Sequence, residues 1–303
     1  MQIREWLNRP EYFYQPEKLF RRIFNSKSDP ESIGIVRLPW KLSLEVDCSE
    51  TIGRIISHHG IFELPVVEAI FRLTDPNDIF LDVGANIGYM TSAALSAGAR
   101  KMISFEPHPD LFARLSRNAG LWIEARPEVA GRVEVRQEAM SSIIGTAVLQ
   151  IPKDVFMGNQ GLSTLEPSWG LDAYVPIKVI TTTLDRVIHD AGGPIGVLKI
   201  DIEGHELQAF RGGWESLSSG MVRDIIYEDF RGMDSEASRF LSALGYSIFA
   251  LKKTPLGPVL RGNLGLVRPF EPPNLLATLD PSRARRRMAG WGYRCLNRCY
   301  ASE

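Results

Sequence analysis

One stretch limits what this 303-residue chain can fold into: Asp78 to Thr91, DIFLDVGANIGYMT. Ile79, Phe80, Leu81 and Val83 make a short apolar run of the kind required of a parallel strand covered on both faces. Asp82 lies near the end of that run. A glycine loop, Gly84-Ala-Asn-Ile-Gly88, follows, and then a helical segment from Tyr89 to Leu95. Strand, glycine turn and helix start together make the nucleotide-binding corner of an open α/β sheet. The usual dinucleotide corner reads GxGxxG and meets a pyrophosphate with bare backbone amides. Here an acid precedes a looser GxNxG. That pattern suits a ligand with no phosphate and with a cationic group, such as the amino-acid part of S-adenosylmethionine (SAM).

The rest of the chain supplies a sheet for this corner. Lys101–Phe105, Val133–Arg136, Val197–Ile200 and Val222–Tyr227 read as further strands, with helices over 110–122, from Thr183 and over 235–244 between them. Such alternation implies a parallel sheet with right-handed crossovers. Tyr246–Leu251 and Leu275–Leu279 read as late strands, and the link between them admits another at Leu264–Val267. Gly145–Ile151 and Ile177–Ile180 flank a Gly-, Ser- and Pro-rich loop, 153–176, expected to cover the site as a flap. Near the start, a short helix is expected over Pro16–Asn25, a strand over 42–46 and a helix over 63–73. The expected division is an N-terminal extension (1–55), a catalytic domain (56–280) and a basic C-terminal tail (281–303). That tail, with six arginines and no acid from Ser282 to Arg298, reads as solvated or frayed.

Ligands of such sheets sit beyond the carboxyl ends of the strands. Nearly every strand end here carries an acid: Asp82, Glu106, Glu138, Asp201 with Glu203, and Glu228 with Asp229. Glu106, at the end of the second strand, suits a ribose, and the backbone at Ala139 or Met140 suits adenine. Asp201-x-Glu203-Gly204-His205-Glu206 ends the fourth strand, where the transferable group is expected. Transfer of a methyl group to an alcohol calls for positioning and for removal of the hydroxyl proton. His205 is a candidate base. Asp201, Glu203 and Glu228 are alternatively candidates to hold Mg²⁺, with the acceptor hydroxyl completing its shell.

The chain resembles the FkbM family of SAM-dependent methyltransferases. The matching segments are DVGANIGYMT at 82–91, FEPHPDLFARLSRN at 105–118, TTLDRVI at 182–188 and LKIDIEGHELQAFRGG at 198–213. Weaker echoes are HGIFE at 59–63, EAMSSIIGTAVL at 138–149 and GLSTLEP at 161–167. The resemblance implies a seven-stranded Rossmann-like class I methyltransferase sheet with helices on both faces, and O-methylation of a hydroxyl on a saccharide or secondary metabolite. It implies Asp82, Gly84, Asn86, Gly88 and Glu106 as SAM contacts, with Asp201 and Glu203 on the acceptor side. After the third strand the family often has AlxDrxG. This chain reads AMSSIIG and lacks the acid, which leaves adenine to Glu138 or to the backbone at Ala139.

Composition bounds the rivals. A net charge of −1 argues against nucleic acid as the partner, and no Asn-Pro-Pro-aromatic motif for amine methylation occurs. An NAD(P) oxidoreductase is disfavoured by Asp82 and the missing third glycine. Two further rivals are a nucleic-acid or protein methyltransferase and a non-catalytic SAM-binding protein. Three scattered cysteines make no disulfide framework, and no run of about 20 apolar residues suggests a membrane span. A cytoplasmic location is expected, and oligomeric state is not legible.

Overall fold

The computed structural model describes residues 33–153, 160–166, 174–263 and 273–296. The expected helix at 16–25, the strand at 264–267 and parts of the 153–176 loop (154–159 and 167–173) lie outside them. The chain opens with a hairpin, β1 (Ile33–Arg37) and β2 (Ser43–Asp47), then helices α1 (Thr51–His59) and α2 (Leu64–Leu73). Next come β3 (Ile79–Val83), α3 (Tyr89–Ala97), β4 (Lys101–Phe105), α4 (Pro109–Ala125) and β5 (Val133–Arg136). A side unit follows: β6 (Ala139–Met140), β7 (Gly145–Pro152) and β8 (Tyr174–Thr182). The second half runs α5 (Leu184–Ala191), β9 (Ile195–Ile200), α6 (Glu206–Arg211), α7 (Trp214–Ser218), β10 (Val222–Glu228) and α8 (Glu236–Ala243). It ends with β11 (Ser247–Thr254), β12 (Gly257–Arg261), β13 (Asn274–Thr278) and α9 (Pro281–Met288).

The main sheet has eight strands in the order β12-β11-β13-β10-β9-β3-β4-β5. Seven of them make the expected Rossmann-like sheet, and β12 adds an antiparallel edge strand that local pattern did not reveal. β13 runs antiparallel to both β10 and β11. Alternation along β3 sets the two layers. Phe80 points to one core with Met102, Val197 and Ile226, beside α2, α3 and α4. Ile79, Leu81 and Val83 point to the other, beside α5, α6 and α8. Successive residues of a strand face opposite sides, so an unbroken apolar run is what a sheet covered on both faces needs.

Caps explain the local boundaries. The His108 side chain accepts from Asp110 N–H at 3.2 Å, with Pro109 opening α4. Thr183 accepts from Arg186 N–H, as its place before α5 leads one to expect, and Ser235 accepts from Ser238 N–H before α8. The hairpin is fastened to α4: the indole N–H of Trp122 donates to Ser43 O, and Asn118 Oδ1 accepts from Glu45 N–H.

The expected free tail is corrected by the structure. Residues 281–296 dock against α2, and Ala284, Met288, Tyr293, Cys295 and Leu296 are buried. The reason is a buried ion pair on α2, Glu68 with Arg72 at 2.5 Å. Arg72 donates to the carbonyls of Arg287, Met288 and Gly292, and Glu68 accepts from the N–H groups of Arg294 and Cys295. Arg283 reaches Asp75 and Asp224, and Arg287 also pairs with Asp75. Two of the tail's arginines, Arg283 and Arg287, are thus matched to acids of the same chain, and Arg285 lies over the Phe249 ring.

Candidate active site

Order along the sheet reverses at β3: β4 and β5 lie to one side and β9 and β10 to the other. Loops leaving β3 and β9 therefore diverge there and open a crevice. They also touch. Gly84 has φ 75°, and a Cβ on it would stand 1.9 Å from the carbonyl oxygen of Asp201. Gly88, at φ 88°, opens α3, and a Cβ there would meet Leu115 and Trp122 of α4. Gly84 thus lets the two site loops approach, whereas Gly88 lets α3 and α4 pack. Gly88 does not line the cavity.

That crevice is a cavity of about 270 Å³. Of the expected donor residues, Gly84, Asn86, Glu106, Glu138 and Ala139 line it, with Val83, Phe105, Leu111 and Met140 among its apolar wall. Glu106 is held by both oxygens: Oε2 accepts from Asn86 N–H and Oε1 from His108 N–H, each at 2.8 Å. Asn86 adopts φ 52°, the left-handed conformation that asparagine tolerates well, to aim its N–H there. Burial raises the Glu106 carboxyl to about 7 despite those two bonds.

Asp82 sits elsewhere than expected. It is fully buried beneath the loop and lines neither cavity. Its Oδ2 accepts from the Thr91 hydroxyl at 2.6 Å, while Oδ1 has no hydrogen-bond partner and faces Lys199 Nζ at 3.9 Å. Lys199 is a site residue that sequence reading missed, because it hides inside the apolar run of β9. Its ammonium lies 3.4 Å from Asp201 and donates to Gly84 O. Burial alone would pull Lys199 down. The carboxylates of Asp201, Asp82 and Glu63 outweigh that and hold it above its ordinary value.

Glu63 is a second missed residue. At φ 47°, it precedes α2, lines the cavity and accepts from Asn274 at 3.3 Å. Burial, then Asp201, push its carboxyl up. The HGIFE segment that carries it was legible only as a weak echo.

A second, more polar cavity of about 390 Å³ adjoins the first. Asp201, Glu203, Glu228 and Phe230 line both. Burial first, then Asp201 and Glu206, raise Glu203 to about 8. Burial, followed by Asp201, Glu63 and Glu203, also pushes Glu228 up. His205 lines neither cavity. Its Nδ1 meets Glu166 Oε1 at 2.7 Å and its Nε2 meets Ser141 Oγ at 3.0 Å, so both nitrogens are engaged. Ser141 belongs to the AMSSIIG segment that departs from the family pattern.

The expected Mg²⁺ site at Asp201, Glu203 and Glu228 is not formed. Among the described residues no three His, Cys, Asp or Glu side chains converge as a metal-holding group. The positive charge amid these acids is instead the Lys199 ammonium.

The residues present fit SAM. A cradle too tight for any Cβ, a tethered acid on the second strand and a largely apolar cavity wall suit a nucleoside, and crowded carboxyls suit a cation. Known proteins agree. Residues 82–248 match the Methyltransferase FkbM domain. The hexuronic acid methyltransferase AglP of Haloferax volcanii is 29% identical over 199 residues, covering 65% of this chain and 74% of that protein. The 31-O-demethyl-FK506 methyltransferase FkbM of Streptomyces tacrolimicus is 30% identical over 202 residues, covering 58% and 75%. Methyltransferase sdnD of Sordaria araneosa is 26% identical over 260 residues, covering 72% and 90%. The chain belongs to the FkbM methyltransferase family and is an enzyme that takes its methyl group from SAM.

Proposed function

We propose that the enzyme methylates a hydroxyl of a saccharide or secondary metabolite, with the donor in the 270 Å³ cavity and the acceptor in its neighbour. One observation carries this reading: the wall of Asp201, Glu203, Glu228 and Phe230 common to both cavities. An alcohol is a poor nucleophile and needs a proton acceptor where donor and acceptor meet. The relatives named for a hexuronic acid and for 31-O-demethyl-FK506 support the acceptor class.

When bound, SAM supplies an electrophilic methyl carbon beside a sulfonium. Gly84 and Asn86 shape the loop around the donor, Glu106 receives hydroxyl hydrogen bonds, and Glu138 with Ala139 borders the base. Asp82 and Lys199 act from beneath, keeping the loop and Asp201 in place. Asp201 orients the acceptor hydroxyl, and Glu203 takes its proton. Its raised carboxyl, near 8, is well matched to that task. His205, with both nitrogens engaged, is a positioning residue in this scheme rather than the base. Residues 56–280 form the catalytic domain of the proposal. The net charge of −1 supports a small acceptor rather than nucleic acid. No helix of the described residues is long and apolar enough to cross a membrane. Free Cys48 and Cys295 support a reducing, cytoplasmic setting.

The test pairs calorimetry with transfer. Wild-type protein and Asp201→Ala are titrated with SAM, then incubated with labelled SAM and a panel of saccharide, polyol and amine acceptors. Asp201→Ala is expected to keep SAM binding and lose most transfer. Full transfer by Asp201→Ala removes the catalytic assignment, and labelling of amines alone removes the O-methylation reading.

A further inference from the structure

The segment 160–166 borders both cavities. Gly161, Leu162, Ser163 and Leu165 line the donor cavity, and Glu166 lines its neighbour. Thr164 lines neither and faces the turn after β9. Its backbone is fastened to β7, where Thr164 and Gln150 exchange N–H···O bonds of 2.9 and 3.1 Å. Its hydroxyl donates to the carbonyl of Glu203 at 2.9 Å and accepts from Glu166 N–H at 3.0 Å. Beyond it, Glu166 holds His205, and His205 meets Ser141.

That carbonyl matters because Glu203 is held at φ 52°, a left-handed conformation unfavourable for a residue with a long side chain. Such strain persists only where surroundings over-determine it. Here the Glu203–Gly204 peptide is gripped on both edges. Thr164 takes the carbonyl, and Glu206 Oε1 takes the Gly204 N–H at 3.4 Å, with the Ile202 N–H at 3.0 Å. Glu206 is local, three residues along. Thr164 is the grip from a separate segment, 39 residues away in sequence.

We propose that Thr164 is a positioning residue that holds the Glu203 carboxyl on the wall between the two cavities, coupling the donor-side segment 160–166 to the group that takes the acceptor proton. The proposal rests on the assignment of Glu203 to that proton. Without the Thr164 hydroxyl, the Glu203 carbonyl loses its partner, the grip on the Glu203–Gly204 peptide falls to the 3.4 Å bond to Glu206 alone, and the carboxyl is no longer fixed on the shared wall. Thr→Val keeps the volume and the backbone bridge to Gln150 while deleting the hydroxyl. Thr→Ser keeps the hydroxyl.

The experiment uses the full chain and SAM alone as probe. Calorimetric titration at about pH 8, in two buffers of different ionisation enthalpy, counts the protons released when the cationic donor binds. Glu203 lies among Asp201, Glu206, Glu63 and Glu228, with Lys199 opposing them, and Glu228 is raised in part by Glu203 itself, so the readout is total proton release with Glu203→Gln as its reference. Thr164→Val is expected to bind SAM within about threefold of wild type yet to lose the share of proton release that Glu203→Gln loses, while Thr164→Ser restores it. In the transfer assay Thr164→Val is expected to fall on the order of tenfold to a hundredfold in kcat, with Thr164→Ser close to wild type. Wild-type proton release and kcat in Thr164→Val overturn the proposal. So does an equal collapse of SAM binding in both Thr164 variants, which marks a merely structural residue. Unchanged proton release and transfer in Glu203→Gln instead removes the underlying assignment of Glu203, and is separable from either result.

Discussion

Lys199 is the residue on which the charge balance of the site turns. The residue is 6% exposed; its ammonium stands between Asp82 and Asp201, and Glu63, Glu203 and Glu228 also feel its field. Removing one partner of a buried pair leaves the other uncompensated, typically at about 3–5 kcal/mol. Lys199→Met is therefore expected to lower unfolding free energy by about 3 kcal/mol near neutral pH, measured by urea denaturation. The deficit is expected to shrink as pH falls, because Asp82, whose carboxyl burial holds above its ordinary value, then takes up a proton and no longer needs the cation. A deficit independent of pH would mean that Lys199 acts by packing alone. This residue also shows where sequence reading stops. DVGANIG and KIDIEGHE were legible because their chemistry is local: a glycine beside a close approach, an acid at a strand end. Lys199 was not, since one lysine in an apolar strand looks like an edge residue until the fold surrounds it with acids from β3, the segment before α2 and β10. For Asp82 the residue was legible but its placement was not, because burial under the loop depends on packing of α3 against β4.

Elements tell the same lesson at longer range. Strands β3, β4, β9 and β10 were legible because parallel strands between helices must be continuously apolar. β12 was not, since an edge strand of Gly-Pro-Val-Leu-Arg has neither alternation nor a full apolar run. The arginine-rich tail was read from its own composition, which says nothing about Asp75, Asp224 and the Glu68–Arg72 pair waiting on other elements. Helix α9 and the turn after it cap α2, whose first residue follows Glu63 at the site. Arg72→Met is expected to destabilise the protein by about 3–5 kcal/mol, since it strands Glu68 and empties three carbonyls of their donor. Thermal denaturation measures this. Unchanged stability would show that residues 281–296 are held by their apolar contacts alone.

At the scale of the molecule, a cluster of acids makes stability depend on pH. Glu106 and Glu206 lie near 7 and Glu203 near 8, against 4.5 for an ordinary glutamate, so the native state keeps protons that the unfolded chain releases. The unfolded state then binds fewer protons, and stability falls as pH rises. The contribution is full below about 4.5 and is lost as pH climbs through 7 to 8. A cationic donor favours the ionised forms, so SAM is expected to raise Tm more at about pH 8 than at about pH 6. Differential scanning calorimetry with and without SAM checks it, and an equal shift at both values would show that these carboxyls do not sense the donor. Fastening of α2 by residues 281–296 has a consequence in time. Arg72 and Gly292 meet across 220 residues of sequence. Contacts of such separation carry a high entropic cost of closure and form late. During synthesis, α2 and the Glu63 segment leading into it therefore wait, incompletely covered, until almost every other described element has been made. Helix α2, whose preceding residue Glu63 lines the donor cavity, is thus covered last by residues 281–296, and the interval before that contact closes is when this enzyme is most open to aggregation and proteolysis.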